Sequence, residues 1–210
     1  MILGNKAIKE EMDKGHILIS PFREDFLKGT SYDVRLDRYF VSPGENTSEI
    51  IKSRTKGADL TDPKVVEALY GYWVESDGVV LAPGVKILAS TIEQIGSLTT
   101  DITTEIKAKS TFGRSIGLVC GCADGGAPGF ATHWTLELVN NSPYTISLDY
   151  GTVIAQVKFI RVEGCDILYK GKYNADAGEA KTYSPEERGR MMAPNALKRV
   201  LDDLNPVLYR

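Results

Sequence analysis

Apolar and polar residues alternate in short segments along most of the chain. Alternation with a period of two is typical of β-strands that bury one face. The segments predicted to be strands are Ile17–Ile19, Tyr32–Val41, Val79–Leu81, Lys86–Ile95, Ile102–Lys107, Gly117–Cys122, Thr132–Val139, Tyr144–Leu148 and Val153–Val162. Turn sequences such as Pro83-Gly84 and Asp149-Tyr150-Gly151 separate them. Short strands at close spacing predict an all-β fold, a distorted antiparallel barrel or a jelly-roll-like sandwich.

The first residues of the chain have a helical period instead. Asn5 is predicted to cap a helix that runs to about Lys14. Ile8 and Met12 would lie on its buried face, and Gly15 would follow its end.

Two further segments depart from the strand pattern. Residues 44–62 are polar and indicate an excursion from the core, followed by a short predicted helix over 63–69. From Cys165 the chain is polar and glycine-rich, and signals for helix starts follow at Ser184 and Pro194. These helices are expected to pack on the barrel or on a neighbouring subunit. The predicted organisation is a β-domain and a closing segment with a helical tail, over 1–165 and 166–210.

Composition narrows the function classes. The chain has 210 residues and a formal net charge of -3, which suits one domain and argues against a general nucleic-acid binder. It contains no run of about 18 apolar residues, so no membrane-spanning helix is expected. Its N-terminus lacks the basic start and apolar stretch of a secretory signal. The 3 cysteines favour a reducing compartment over a disulfide framework, so the cytoplasm is the expected location.

Residues 109–137 carry the most informative chemistry. The hydroxyls and backbone N–H groups of Ser110 and Thr111 suit an anion such as phosphate, and Arg114 offers a planar positive group to the same oxygens. Glu137 lies among aliphatic residues of a predicted strand, on the face opposite its two neighbours. A half-buried carboxylate there is expected to have a raised pKa and to exchange protons near neutrality. The alternative is a solvated surface glutamate.

Five motifs follow one another along the chain. They are MILGNKAIKEEMDKGHILISPF (1–22), GTSYDVRL (29–36), LAPG with LAST (81–84 and 88–91), KSTFGR (109–114) and PGF…TLEL (128–138). In this order they resemble the dCTP deaminase branch of the trimeric dUTPase superfamily, as far as about Lys172. The resemblance implies a dUTPase-like barrel that assembles as a homotrimer with active sites shared between subunits. It also implies hydrolytic deamination of dCTP, a deoxynucleoside triphosphate, to dUTP and ammonia.

The resemblance further implies roles for single residues. Glu137 would activate the water, Ser110 and Arg114 would organise the catalytic network, and the Ala123 carbonyl would orient the water. Magnesium would be bound through the triphosphate of the substrate. The implied nucleotide-binding residues are Lys109, Ser110, Thr111, Phe112, Gly113, Arg114, Asp124, Ala127, Thr135, Leu136, Glu137, Tyr169, Lys172 and Asp176.

A zinc site is not expected. Most nucleobase deaminases bind zinc through an H-x-E…P-C-x-x-C signature, and this sequence lacks it. Its only histidines are His16 and His133, and Cys120 and Cys122 have no second cysteine pair to complete a site. These two cysteines are instead predicted to be small core residues.

Two positions depart from the family's pattern. Ala127 stands where an acidic residue usually meets the 3′-hydroxyl, and Asp176 stands where a glutamine usually contacts the nucleotide. Asp124 is either a substitute for the missing acid or a solvated turn residue. His133 and Trp134 are expected to pack either the base pocket or a subunit contact.

Three functions remain open on this basis. The first is a dCTP deaminase. The second is a dUTPase, or a bifunctional enzyme that gives dUMP, and Ala127 speaks against it. The third is a non-catalytic nucleotide-binding regulator on the same fold, which would have no need of Glu137.

Overall fold

The strands and helices are taken from a computed structural model that describes residues 1–42, 72–115, 118–121, 125–171, 183, 184 and 187. The strands in these residues are β1 (Ile17–Ser20), β2 (Tyr32–Ser42), β3 (Tyr72–Glu75), β4 (Gly78–Leu81), β5 (Lys86–Ser97), β6 (Ile102–Ala108), β7 (Leu118–Gly121), β8 (Ala131–Asn140), β9 (Ile146–Asp149) and β10 (Val153–Arg161). The helices are α1 (Asn5–Asp13) and α2 (Ser110–Ser115), with a 3-10 turn at Glu24–Phe26.

The predicted all-β class is confirmed, and each predicted strand is present with ends within two residues of the expected ones. Sequence analysis missed β3, because four residues after a polar excursion are too few to show alternation. The excursion over 44–62, the helix over 63–69 and the helix at Pro194 lie outside the described residues.

All the strand pairs are antiparallel. The main sheet follows the order β6-β10-β2-β5-β8-β7, with β1 added to β5 and β3 added to β2, and β4 pairs with β9 in a second sheet. The sheet curls so that its first and last strands, β6 and β7, contact each other. This curvature gives the barrel-like form and encloses one large apolar core.

The start of α1 differs from the prediction. Asn5 does not cap the helix, because Gly4 occupies the capping position in an extended conformation and Asn5 is the first helical residue. Ile8 is fully buried and Met12 packs against the core, as predicted. Gly15 has a φ of 72° and donates its N–H to the Met12 carbonyl, so it ends the helix as predicted.

Buried charged groups fasten α1 to the barrel. The Glu11 carboxylate accepts hydrogen bonds from Lys14 (2.9 Å), His16 (2.7 Å) and Arg161 of β10 (2.6 Å). Arg161 also pairs with Asp101. Glu11 is 4% exposed at its side chain, so these three donors replace water around it.

The middle of β5 is irregular, and side chains there accept the hydrogen bonds of nearby backbone N–H groups. Its pairing shifts register between Ser90 and Gln94, where the strand bulges. The Trp134 N–H donates to Thr91 Oγ1 (2.8 Å), and the Arg35 N–H donates to Glu93 Oε2 (2.8 Å). Backbone groups that a regular ladder would pair therefore find side-chain acceptors inside the barrel.

Within the described residues, no helix is long and apolar enough to cross a membrane. At the far end of the chain, the predicted helix start at Ser184 has a reciprocal capping box. The Ser184 N–H donates to Glu187 Oε2 (2.8 Å), and the Glu187 N–H donates to Ser184 Oγ (3.2 Å).

Candidate active site

The two faces of β8 differ as the sequence predicts. Trp134, Leu136 and Leu138 are buried in the core, whereas Thr135 and Glu137 on the opposite face are partly exposed. Because Leu136 faces the core, any contact with a ligand on the Glu137 side would use its backbone. Side-chain alternation therefore separates one carboxylate from the core of the barrel.

The surroundings of Glu137 are largely apolar. It lies directly opposite Leu88 of β5 in the ladder, and Leu88 packs with Val41 and Tyr39 in a small second apolar cluster. Burial raises the pKa of the Glu137 carboxyl, and its own backbone N–H and the charge of Lys86 offset this only in part. Among the described residues, no side chain donates a hydrogen bond to it. A raised pKa moves the proton exchange of this carboxyl toward neutral pH, which suits an acid–base role.

His133 and Trp134 have separate environments, although they are neighbours in sequence. Trp134 is a core residue whose Nε1 donates to the Ile95 carbonyl (2.9 Å). His133 lies on the Glu137 face, and its Nδ1 donates to the Thr91 carbonyl (2.9 Å). Burial lowers the pKa of His133 to about 4, so the ring is neutral at physiological pH. The Tyr183 ring lies edge-on to it at 5.8 Å.

The predicted anion-binding segment forms the short helix α2. Ser110, Thr111, Gly113 and Arg114 are exposed, whereas Phe112 packs against the core and anchors the turn. Four polar or small groups are thus presented to solvent from a fixed point, which suits contact with a charged ligand.

The turn and Glu137 lie at opposite ends of β7. Leu118, at the α2 end of this strand, pairs with Asn140, and Gly121, at its other end, pairs with Glu137. Three residues of strand correspond to about 10 Å. Within one chain, the start of β7, which follows α2, therefore lies beside the Asn140 end of β8, about 10 Å along the strand from Glu137.

Lys109 begins the same turn and forms an ion pair. Its Nζ lies 2.7 Å from Asp33 Oδ1 of β2, and its backbone N–H donates to the Ile154 carbonyl (3.0 Å). The residue at the entrance to α2 is therefore fixed through both backbone and side chain.

A tight turn precedes β8 and explains the Pro-Gly-Phe motif. The Phe130 N–H donates to the Ala127 carbonyl (2.8 Å), and Gly129 has a φ of 87°. This is a type II β-turn, with Pro128 and Gly129 at the positions that favour them. Ala127 is exposed at the start of the turn.

The glycines before this turn allow close contact with β6. A Cβ atom at Gly125 would lie 2.2 Å from the Thr104 carbonyl oxygen, and one at Gly126 would lie 2.4 Å from Thr104 Oγ1. Thr103 Oγ1 also donates to the Gly126 carbonyl (2.8 Å). Only glycine permits this approach, which fixes the turn beside β8.

Tyr169 packs on the same turn. Its N–H donates to the Pro128 carbonyl (2.7 Å), and its ring lies edge-on to Phe130 at 5.3 Å. The structure therefore brings Tyr169 to the segment that leads into Glu137. Ala123, Asp124, Lys172 and Asp176 lie outside the described residues, as does Cys122. Among the residues that are described, no three His, Cys, Asp or Glu side chains are grouped to hold a metal ion.

Known proteins provide a direct comparison with this arrangement. Residues 2–162 match the family model described as dCTP deaminase-like. A Streptomyces avermitilis protein named "dCTP deaminase, dUMP-forming" is 38% identical over 164 residues, which cover 77% of this chain and 81% of the relative. A Streptomyces coelicolor protein of the same name is 37% identical, with the same coverage.

The chain belongs to the dCTP deaminase-like family. The solved structure of the 2′-deoxycytidine 5′-triphosphate deaminase from Agrobacterium tumefaciens matches 77% of this chain with a TM-score of 0.51 and 20% identity. The match spans 49% of that longer chain, and it supports the shared fold alone. The family resemblance seen in the sequence motifs is confirmed.

Sequence reasoning missed two buried carboxylates of this family member. Asp33 binds Lys109, and Glu93 binds Arg35 through Nε at 2.7 Å. Both pairs join residues far apart in sequence, so no local pattern signals them. The only sequence signal was the position of Asp33 and Arg35 within the GTSYDVRL motif.

Proposed function

We propose that this chain removes the 4-amino group of dCTP by hydrolysis, with Glu137 as the proton-transfer residue. The observation that carries the proposal is Glu137 itself: a partly buried carboxylate with a raised pKa on the outer face of β8. Membership of the dCTP deaminase-like family supports the choice of substrate. A carboxyl whose pKa is raised by burial is a candidate for proton transfer, a step that a protein which only binds a nucleotide does not need.

The reaction needs one group that takes and returns protons. Glu137 accepts a proton from water as the water oxygen bonds to C4 of cytosine, and Glu137 then passes this proton to N3. The hydroxyl of the tetrahedral intermediate then loses its proton through the same carboxylate to the amino group. The C4–N bond breaks, ammonia leaves, and C4 becomes the carbonyl of uracil. A carboxyl with a pKa moved toward neutrality can perform both transfers.

The other proposed contacts position the nucleotide. Lys109, Ser110, Thr111, Gly113 and Arg114 offer cations and donors, a set that suits phosphate oxygens better than a metal ion. Magnesium is therefore proposed to arrive with the triphosphate. Ala123 would orient the water through its carbonyl, and the segment around Thr135 and Tyr169 would line the nucleotide.

The proposed product is dUMP, which requires a second hydrolysis that releases pyrophosphate. The names of the two Streptomyces relatives favour it, since both are called dUMP-forming. The second candidate is release of dUTP. Ala127 favours this candidate, because the residue before Pro128 offers no carboxylate to orient a second water.

One assay distinguishes these outcomes. The purified protein is incubated with dCTP, or with dUTP, in the presence of magnesium, and ammonia and pyrophosphate are measured separately. Equal amounts of both products from dCTP would support the dUMP-forming reaction. Ammonia without pyrophosphate would support the dUTP product, and neither product would refute the enzymatic proposal.

We also propose that each active site is shared between subunits of a homotrimer. The register of β7 and β8 supports this, because the strand that follows α2 begins at the Asn140 end of β8 and reaches Glu137 only at its other end. Co-expression of Arg114→Ala with Glu137→Gln should then restore about a quarter of wild-type activity, since mixed trimers contain some intact sites. Activity no higher than that of the single variants would contradict a shared site. Sedimentation or light scattering would give the mass of the assembly.

A further inference from the structure

An ion pair in this fold crosses an intervening strand. β10 lies between β6 and β2, and its Ala155 pairs with Ala108 on one side and with Val34 on the other. Lys109 follows the end of β6 and reaches across β10 to Asp33 of β2, with 2.7 Å between Nζ and Oδ1. The Asp33 side chain is only 6% exposed. Lys109 therefore supplies the hydrogen bond that water provides to an exposed carboxylate.

The rest of Lys109 is fixed at the entrance to α2. Its N–H donates to the Ile154 carbonyl (3.0 Å), and its carbonyl accepts the N–H of Phe112 (3.1 Å). The side chain still exposes 29% of its surface. An ammonium group has three N–H donors, so one can bind Asp33 while the exposed side remains open to a ligand.

The charges around this pair are predominantly positive. Lys28 Nζ lies 3.9 Å from Asp33 Oδ2, and Arg114 is exposed in the adjoining turn. Two lysines therefore face Asp33, and Arg114 lies in the same turn as Lys109. We infer that Asp33 is a positioning residue, which holds the Lys109 ammonium where the turn binds a polyphosphate. The inference rests on the proposed function, in which Lys109 contacts the triphosphate.

The direction in which polyphosphate affinity changes when Asp33 is neutralised makes this inference testable. A carboxylate close to bound phosphate repels it, so charge alone predicts tighter binding when Asp33 is neutralised. Positioning predicts the opposite, because a released Lys109 side chain must be ordered again each time the phosphate binds. The two explanations cannot both fit one measured change in the dissociation constant.

The experiment measures binding of magnesium tripolyphosphate to the full-length chain by isothermal titration calorimetry. Asp33→Asn is expected to weaken binding about tenfold, as the loss of a hydrogen bond to a charged group would. Lys109→Met is expected to weaken it at least as much, and the double variant no further than Lys109→Met alone. Binding of deoxycytidine, which has no phosphate, should stay unchanged in all three variants.

Other outcomes would overturn the inference. These are unchanged or tighter tripolyphosphate binding in Asp33→Asn, independent and additive losses in the double variant, or no binding by the wild-type chain. Asp101→Asn is the matched control, since it removes a carboxylate that is paired with Arg161 and lies at the opposite end of β6 from Lys109. It should leave tripolyphosphate binding unchanged, which separates positioning from a general loss of stability.

A second variant keeps the test decisive if Asp33→Asn does not fold. Unchanged tripolyphosphate binding in Lys109→Met would overturn the inference, and weaker binding there would support the Lys109 contact on which it depends. The deaminase assay is separate from this equilibrium measurement. If the wild-type chain releases ammonia from dCTP and Asp33→Asn binds tripolyphosphate as the wild type does, only the positioning role is rejected. If the variants lose binding as expected but the wild-type chain releases no ammonia, only the deaminase activity is rejected.

Discussion

Two carboxylates of this fold, Glu137 on β8 and Glu11 on α1, have opposite environments. Burial alone would raise the pKa of Glu11, but hydrogen bonds from Lys14, His16 and Arg161 outweigh it and lower that pKa to about 2. Burial also raises the pKa of Glu137, and there the charge of Lys86 offsets it only in part. The partners of a carboxylate, more than its burial, decide the direction of the shift.

The opposite pKa shifts distinguish two parts of the molecule. One is a structural corner, where Glu11 contacts Lys14, His16 and Arg161, and the other is a reactive face, the side of β8 that carries Glu137. Glu11 is ionised at neutral pH and joins α1 to β10 through Arg161, so its charge contributes to stability. Glu137 has no comparable partner among the described residues, so the effect of burial is not outweighed and its protonated form is favoured relative to that of an exposed glutamate. An acid of this kind costs stability and is typical of a functional site.

The largest expected effect is on activity. Glu137→Gln should lower the rate of ammonia release from dCTP by at least about 100-fold, because an amide cannot carry protons between water and the base. Binding of dCTP, measured by calorimetry, should remain close to that of the wild type. Turnover at the wild-type rate in this variant would refute the role of Glu137.

A surface carboxylate on another strand is the control for this change. Glu105 on β6 is more than one-third exposed and pairs with Lys107 at 3.0 Å. Glu105→Gln removes the same charge by the same chemical change and should leave the rate of deamination unaltered. A similar loss in both variants would indicate a general effect of charge instead of proton transfer.

The next effect in size concerns the structural corner. Glu11→Gln should lower the free energy of unfolding by about 2–3 kcal/mol, because Lys14, His16 and Arg161 lose a buried charged acceptor. Urea denaturation would measure it, with Glu10→Gln as the control, since Glu10 is exposed on the same helix. Equal stabilities of the two variants would show that the Glu11 contacts contribute little.

Local sequence patterns predicted most of the fold. Of the two carboxylates compared above, they predicted the setting of Glu137 but not that of Glu11. Alternation in β8 predicted both the strand and the outward face of Glu137, because a strand repeats every two residues whatever its partners. The Ser-Thr-Phe-Gly-Arg turn was likewise visible from its composition. The role of Glu11 was not, since its partner Arg161 is 150 residues away.

Other errors have similar physical causes. The Asn5 cap was wrong because Gly4 can adopt the extended capping conformation equally well, and residue type alone does not choose between adjacent candidates. The Lys109–Asp33 pair depends on the strand order β6-β10-β2, which brings together residues 76 positions apart. Sequence-local rules contain no information on strand order.

The two carboxylates should also respond differently to acid. The folded-state pKa of Glu11 is about 2, below its ordinary value of 4.5. Its contribution to stability is therefore complete above about pH 5 and is lost as the pH falls toward 2. The stability difference between wild type and Glu11→Gln, from urea denaturation at several pH values, should shrink over this range. A difference that stays constant down to pH 2.5 would contradict the lowered pKa.

The smallest effect has the opposite sign. Because the pKa of Glu137 is raised in the folded state, folding favours its protonated form. Stability is then lost as the pH rises from the ordinary value through the raised one, and it stays lower above that range. Glu137→Gln removes this cost, so the inactive variant should be more stable than the wild type at pH 8. The gain is expected to be smaller than the loss in Glu11→Gln, because solvent screens the charge of a partly exposed side chain.

The pH dependence decides whether this gain arises from the charge. The two proteins should have nearly equal stabilities near pH 4, where Glu137 is mostly protonated in both the folded and unfolded states, and should diverge as the pH rises. Thermal unfolding at pH 4, 6 and 8 would show it. If the variant were less stable at pH 8, Glu137 would be a stabilising residue like Glu11, and the contrast between the reactive face and the structural corner would fail.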